Sequence, residues 1–416
     1  MRLEIGQAGP EDVQMLGQGA VGSFSQRPAG ILVVEGAPFS HAMIQLRGLG
    51  VPTAIITAAQ GSLLQPGTEV LMDGATGLVT TDLAFVRKGS HAPADIASHR
   101  PLRSADGEAV LLRASVRTTP LARQAVVAGA AAIGLVRSEF LIPEADALPT
   151  EDFYLGAFTQ LCQAAAPLAV TVRLLDLASD KLPGWIPEDP SVGGALGLQG
   201  VRLFAVETVS RVLQSQLAAL DRLSGQFDLR LLIPYLVRLE ELSYWIRYLR
   251  RRLSRPVPIG AMVETPAAAL DLANWLEVAD FAALGCNDLM QCLFAADRDR
   301  SELRGYLDPY APVLYRLLRQ VAEAARAELD RVQVCGVLPQ LPGVLPILIG
   351  LGYRVFSVDV GLIPYLAEEV RSTRCADARR LAAAVCAARE SRQVAGMLGL
   401  ASNEWVPFLP GAPEAR

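Results

Sequence analysis

The sequence predicts an α/β protein: an eight-stranded (β/α)8 barrel of the TIM type, preceded by a small α/β domain. Three observations point there. Short apolar runs alternate with segments long enough for a helix, and eight such units in roughly 290 residues fit a closed barrel better than an open sheet. The 416 residues are 51% hydrophobic but only 6% aromatic, which suits close helix–sheet packing better than an all-β sandwich. Several apolar runs end in an arginine or a carboxylate, and strand C-terminal ends are where such a barrel keeps its site.

Element by element, residues 31–34, 51–56 and 70–72 read as strands of the small domain. Glu35-Gly-Ala-Pro-Phe-Ser-His41 is a turn, 42–49 a helix, and Pro66-Gly67 and Asp73-Gly74 are further turn signals. Candidate barrel strands are 110–116, 133–141, 168–175, 229–236, 259–263, 281–285, 332–336 and 355–358. The division that follows is a small domain at 1–86, a polar linker at 87–106, the barrel at 107–397 and a tail at 398–416.

A net charge of -5 and a pI near 5.5 offer nothing to nucleic acid or to an anionic membrane. Mean hydropathy is +0.30, yet no uncharged apolar run reaches the roughly 20 residues of a spanning helix. The most apolar stretch, 341–353, contains prolines and ends at Arg354. The N-terminus has no basic-then-apolar signal pattern, so a soluble, cytoplasmic protein is expected. None of the six cysteines forms a CxxC pair, so neither a zinc site nor a disulfide framework is indicated. Cys335 stands apart because it ends an apolar strand.

Glu264, in Gly260-Ala-Met-Val-Glu-Thr-Pro266, and Asp288, in Gly285-Cys-Asn-Asp288, each follow an apolar run. At the mouth of a barrel, two such carboxylates suit a hard divalent cation and a phosphorylated substrate; taken singly, each also reads as a helix cap. Arg137 and Arg173 end two earlier strands, and Arg298 follows Asp288. An arginine in an apolar strand either pairs with a carboxylate, here Glu139 or Asp176, or meets an anionic ligand. His41 is one of three histidines; it follows a glycine turn at the start of a helix, where backbone N–H groups favour an anion, with Ser40 and Arg47 as further donors.

Together these segments resemble the phosphoenolpyruvate-utilising enzymes, the group of enzyme I of the bacterial phosphotransferase system, phosphoenolpyruvate synthase and pyruvate phosphate dikinase; the enzyme I branch is the most similar. The segment from Glu35 through His41 to Pro52 resembles the family's mobile phosphohistidine segment. Gly134-Leu-Val-Arg-Ser-Glu-Phe-Leu141, Arg173-Leu-Leu-Asp176 with Asp180-Lys181, Ala195-Leu-Gly-Leu-Gln-Gly-Val-Arg202, Met262-Val-Glu-Thr-Pro266, Gly285-Cys-Asn-Asp-Leu-Met-Gln291 with Asp297-Arg298, and Val334-Cys-Gly336 match its barrel motifs in order. The resemblance implies a swivelling domain phosphorylated on His41, and Mg2+ held by Glu264 and Asp288. It also implies phosphoenolpyruvate gripped by Arg137, Arg173, Arg298, Asn287 and Asp288 with Arg202 nearby, Cys335 as the acid that protonates the enol carbon, and a homodimer through the barrel.

The sequence departs from the family at Gly36-Ala37 in place of Gly-Gly, at Gln199 in place of an arginine, and at Val337 in place of a glutamate. It also begins late, so that the swivelling domain is expected to be truncated and no phosphocarrier-docking domain precedes it. The function expected is phosphoryl transfer from phosphoenolpyruvate to His41 and on to an unidentified acceptor or docking protein, releasing pyruvate. The alternatives are a non-catalytic phosphoenolpyruvate-binding sensor, and a barrel acting on another small phosphorylated or keto acid.

Overall fold

Strands covered on both faces read as unbroken apolar runs rather than as alternations, and the larger part of this chain is built from such strands. The computed structural model describes residues 2–4, 12–16, 28–40, 42–43, 46, 51–73, 78–82, 99–142, 147–177, 183–186 and 196–400. His41, Arg47, Asp180, Lys181 and Ala195, residues 87–98 of the expected linker and 401–416 of the tail lie outside them. Two units form: Met1–Ala94 with Phe294–Asp308 and Val406–Arg416, and Asp95–Leu293 with Pro309–Trp405.

In the smaller unit, β1 (Arg2–Glu4), β2 (Asp12–Leu16), β3 (Gly30–Val34) and β4 (Thr53–Ile56) make a parallel sheet in chain order. β5 (Leu71–Asp73) and β6 (Leu78–Thr80) form an antiparallel pair. One apolar cluster gathers Val13, Leu32, Ala54, Ile56, Val70 and Met72, and another gathers Leu16, Ile31, Val33, Met43 and Leu46. β1 and β2 are strands that the sequence reading missed, because three and five residues are too few to display a period. The short helix Ala58–Ser62 starts at a capping box between Thr57 and Gln60.

In the larger unit, the hairpin strand β7 (Leu102–Arg103) runs antiparallel to β8 (Ala109–Val116). Then follow β9 (Ile133–Arg137), β10 (Val170–Arg173), β11 (Leu229–Leu236), β12 (Ile259–Val263), β13 (Phe281–Gly285), β14 (Val332–Cys335) and β15 (Val355–Asp359). β8 to β15 are parallel, each paired with the next, and β15 returns to β8 in register from Val355↔Leu111 to Asp359↔Ser115. The barrel is closed, as the sequence predicts. An inner cluster of Leu135, Leu232, Met262, Phe281, Ala283 and Cys335 fills it. β9 is shorter than expected: the chain turns into a 3-10 helix at Ser138–Leu141, where Ser138 Oγ donates to the Arg173 carbonyl at 2.8 Å.

The apolar stretch that drew attention in the sequence is the helix Val344–Leu351, buried in the outer layer against the helix Cys375–Ala387. A helix apolar all round is one surrounded by protein. Among the described residues no helix is long and apolar enough to cross a membrane. The two helices approach closely at Gly350, where an added Cβ would stand 2.0 Å from the Ala378 carbonyl oxygen. Gly350→Ala is therefore expected to lower stability by about 1–3 kcal/mol or more through overpacking. Urea denaturation checks it, and an unchanged midpoint would contradict this packing.

Candidate functional site

Arg173 is the last residue of β10 and is 5% exposed. Burial by itself pushes its pKa down, but Asp176, Glu139, Glu264 and Asp288 more than reverse that and hold it charged. It pairs with Glu139, with Asp176 at 2.6 Å and with Glu264 at 3.9 Å. The carboxylate pairing weighed from the sequence is thus realised. Arg173 Nε and Glu139 Oε2 remain buried without a hydrogen-bond partner, which leaves a donor for an anion. Arg137 stands beside Arg173 in register on β9.

Glu264 directly follows β12 and is 1% exposed. It does not cap the helix Pro266–Leu270; Thr265 does, accepting from the Ala268 N–H at 3.3 Å. Glu264 Oε2 instead accepts from the Tyr235 N–H at 3.1 Å. Burial pushes the Glu264 carboxyl up to about 8, Asp288 and Asp176 push the same way, and Arg173 opposes them. Room for it comes from Gly285, where a Cβ would lie 2.5 Å from Glu264 Cγ. Asp288 sits in the first turn of the helix Cys286–Phe294.

Arg173 therefore sits among four carboxylates, with Arg137 beside it in register, an excess of negative charge in a poorly hydrated place. Among the described residues no three His, Cys, Asp or Glu side chains converge as a complete metal site. The mutually repelling pair Glu264 and Asp288 still fits Mg2+, which takes one or two carboxylates and completes its shell with water and substrate phosphate.

Cys335 ends β14 beside Gly285. Its Sγ donates to the Leu284 carbonyl at 3.2 Å, and burial, helped by Glu264, pushes the thiol up to about 12, against Arg137 and Arg173. It stays protonated. Gly336 follows with φ +95, and a Cβ there would meet Asn287 Oδ1 at 2.8 Å. The next N–H, that of Val337, donates to the same oxygen at 2.9 Å, so Cys-Gly-Val fixes the orientation of Asn287.

Arg202 lies over the Tyr235 ring, 5.6 Å from its centroid, and so joins the group through the residue that holds Glu264. Tyr235 was not foreseen; its positive φ of 45 and its place in the Pro234-Tyr235 end of β11 are the signals that mark it. Arg298 is buried and belongs to the segment that groups with the smaller unit. Ser40 Oγ accepts from the Met43 N–H at 3.3 Å, which leaves its own O–H to donate.

The family description "PEP-utilising enzyme, PEP-binding domain" fits residues 92–375, and "PEP-utilising enzyme, mobile domain" fits residues 13–77. The chain belongs to the phosphoenolpyruvate-utilising enzymes. It is 32% identical over 374 residues to a phosphoenolpyruvate-protein phosphotransferase of Streptomyces coelicolor, with 88% of this chain and 66% of that one covered. A phosphoenolpyruvate-protein phosphotransferase of Haloferax volcanii is 30% identical over 393 residues, covering 90% and 69%. A multiphosphoryl transfer protein of Rhodobacter capsulatus is 29% identical over 383 residues, covering 88% and 46%. The chain spans from under half to about two thirds of the length of these relatives.

The raised Glu264 carboxyl carries a pH signature. The unfolded chain releases this proton near the ordinary value of 4.5, the native chain only near 8, so between them the native state holds the extra proton and stability falls as pH rises. In chelator-containing buffer the urea midpoint is expected to decline from about pH 5 to about pH 8, and the decline to shrink in Asp288→Asn. Glu369, which burial pushes up to about 7, adds slope of the same sign, so the difference between the two proteins is the quantity to read. Identical slopes would contradict the coupling.

Proposed function

We propose that the protein is a phosphoenolpyruvate-dependent phosphotransferase that moves the phosphoryl group to His41 and then to a protein acceptor, releasing pyruvate. The observation that carries this reading is the mouth itself: a buried arginine with a spare donor at the end of β10, a mutually repelling carboxylate pair after β12 and β13, and a thiol kept protonated at the end of β14. The names of the relatives, phosphoenolpyruvate-protein phosphotransferase and multiphosphoryl transfer protein, support a protein as acceptor.

In this reading Arg137 and Arg173 hold the phosphoryl oxygens as guanidinium forks, Asn287 orients the substrate, and Arg202 and Arg298 add positive charge. Glu264 and Asp288 hold Mg2+, which when bound neutralises charge on the phosphoryl group. A nitrogen of the His41 imidazole attacks phosphorus as the bond to the enol oxygen breaks. The electron pair leaves with the enolate, and Cys335 gives its thiol proton to the terminal carbon to yield pyruvate. The linker expected at 87–106, whose residues 102–103 are taken up in the hairpin with β8, is what would let the histidine-bearing segment reach the mouth and leave it. A homodimer through the barrel and a cytoplasmic location complete the proposal.

One observation favours a second reading, a non-catalytic phosphoenolpyruvate sensor. The position after Cys335-Gly336 carries Val337, whose side chain is buried and apolar where the family carries a glutamate.

Incubation with labelled phosphoenolpyruvate and Mg2+ is expected to give an acid-labile, base-stable label that is absent in His41→Ala. Label retained in that variant would refute the histidine, and tight binding with no label would establish the sensor. Cys335→Ala is expected to bind phosphoenolpyruvate normally while forming pyruvate about tenfold to a hundredfold more slowly. Stopped-flow assay of pyruvate reads this, and a wild-type rate would remove the thiol from the chemistry.

A further inference from the structure

Deeper in the barrel lies a second pair of arginines that the proposed reaction does not use. Arg113 on β8 stands in register with Ser357 on β15, and Arg230 is the second residue of β11, next to Thr171. Side chains two residues apart on a strand share a face. Arg230 therefore lies on the inner face with Leu232, and Gln333 lies on it with Cys335, both members of the inner cluster. Arg113 Nη1 donates to Gln333 Oε1 at 3.1 Å, and Gln333 Nε2 donates to the Gly134 carbonyl at 2.9 Å.

The charge here is unbalanced in the direction opposite to that of the mouth. Arg173 has carboxylates on several sides, whereas among the described residues no carboxylate pairs with Arg113 or Arg230. Burial, aided by the repulsion of Arg230, lowers the Arg113 guanidinium to about 10. Two further groups lack partners: the buried Nε of Arg230, and Oγ of Ser357, a side chain 0% exposed. Ser357 Oγ lies beside Arg113, since a Cβ on Gly134 would stand 2.7 Å from that oxygen and 2.7 Å from Arg113 Cβ. Buried cations and orphaned donors are costly unless something pairs with them.

We propose that Arg113 and Arg230, with Ser357, form an anion site inside the barrel, separate from the mouth, that takes a small free oxyanion of the phosphate class. Guanidinium forks suit such an oxyanion, and a serine hydroxyl adds a neutral donor. Arg230 stands near the start of its strand and keeps some exposure, so the ion enters from the end opposite the mouth. Gln333 ties the site to the reaction strands: it lies two residues before Cys335, and its partner Gly134 lies three residues before Arg137.

The test is the thermal midpoint of the full chain in Mg2+-free buffer with and without inorganic phosphate. A ligand bound only by the native state raises that midpoint. The rise is expected in the wild type and in Arg137→Ala, and is expected to be lost in Arg230→Met, which without phosphate should be at least as stable as the wild type. An unchanged rise in Arg230→Met, or its loss in Arg137→Ala, overturns the proposal. If the methionine variant does not fold, Arg230→Lys keeps the charge but not the fork, and calorimetry should find phosphate bound about tenfold more weakly; equal affinity overturns the site.

Discussion

The buried guanidinium of Arg173 is the interaction on which the barrel mouth depends. Placing a charge there is unfavourable unless partners surround it, and Glu139, Asp176 and Glu264 arrive from three different segments to do so. Each partner is thereby fixed as well. Glu264 cannot turn away without leaving both Arg173 and the Tyr235 N–H, and Tyr235 in turn carries Arg202 over its ring. Burial above all, and then the neighbouring carboxylates Asp288 and Asp176, make Glu264 hold its proton far above the usual carboxylate range. A site in this condition favours a divalent cation and the dianion the cation brings with it.

Space is the second constraint. Gly285 sits where any side chain would displace Glu264, and Gly336 adopts a left-handed conformation that brings the chain against Asn287. The glycine-centred turn after β14 thus does two things at once: it keeps Cys335 pointing inward and turns the Val337 N–H towards Asn287 Oδ1. This main-chain contact does not depend on the side chain at 337, which explains how a valine there is compatible with an ordered Asn287.

Beneath the mouth one glutamine spans the interior of the barrel. Gln333 accepts from Arg113 and donates to Gly134, a residue at the irregularity where β9 slips in register against β8. A carbonyl freed by such a bulge needs a donor, and the amide supplies it from across the barrel. Strands β14 and β9, which are not neighbours in the sheet, are thereby coupled beneath the residues they present at the mouth.

Sequence by itself determined the barrel and most of its strand boundaries. Parallel strands buried on both faces leave apolar runs such as 259–263 and 281–285 that end abruptly at glycine or charge. It also singled out Arg137, Arg173, Glu264, Asp288 and Cys335, because charge or a thiol at the end of such a run is conspicuous. The three-residue β1 and five-residue β2 escaped, since strands of that length carry no clear period. Only the tertiary structure decided what the charges do: that Arg173 is held by carboxylates, that Thr265 and not Glu264 caps its helix, and that Tyr235 belongs to the group. The reason is physical. A side chain's type can be read from one position, and a near neighbour such as Asp176 can be guessed from the same stretch, but Glu139, Glu264 and Tyr235 come from separate segments that only closure of the barrel brings within reach of one another.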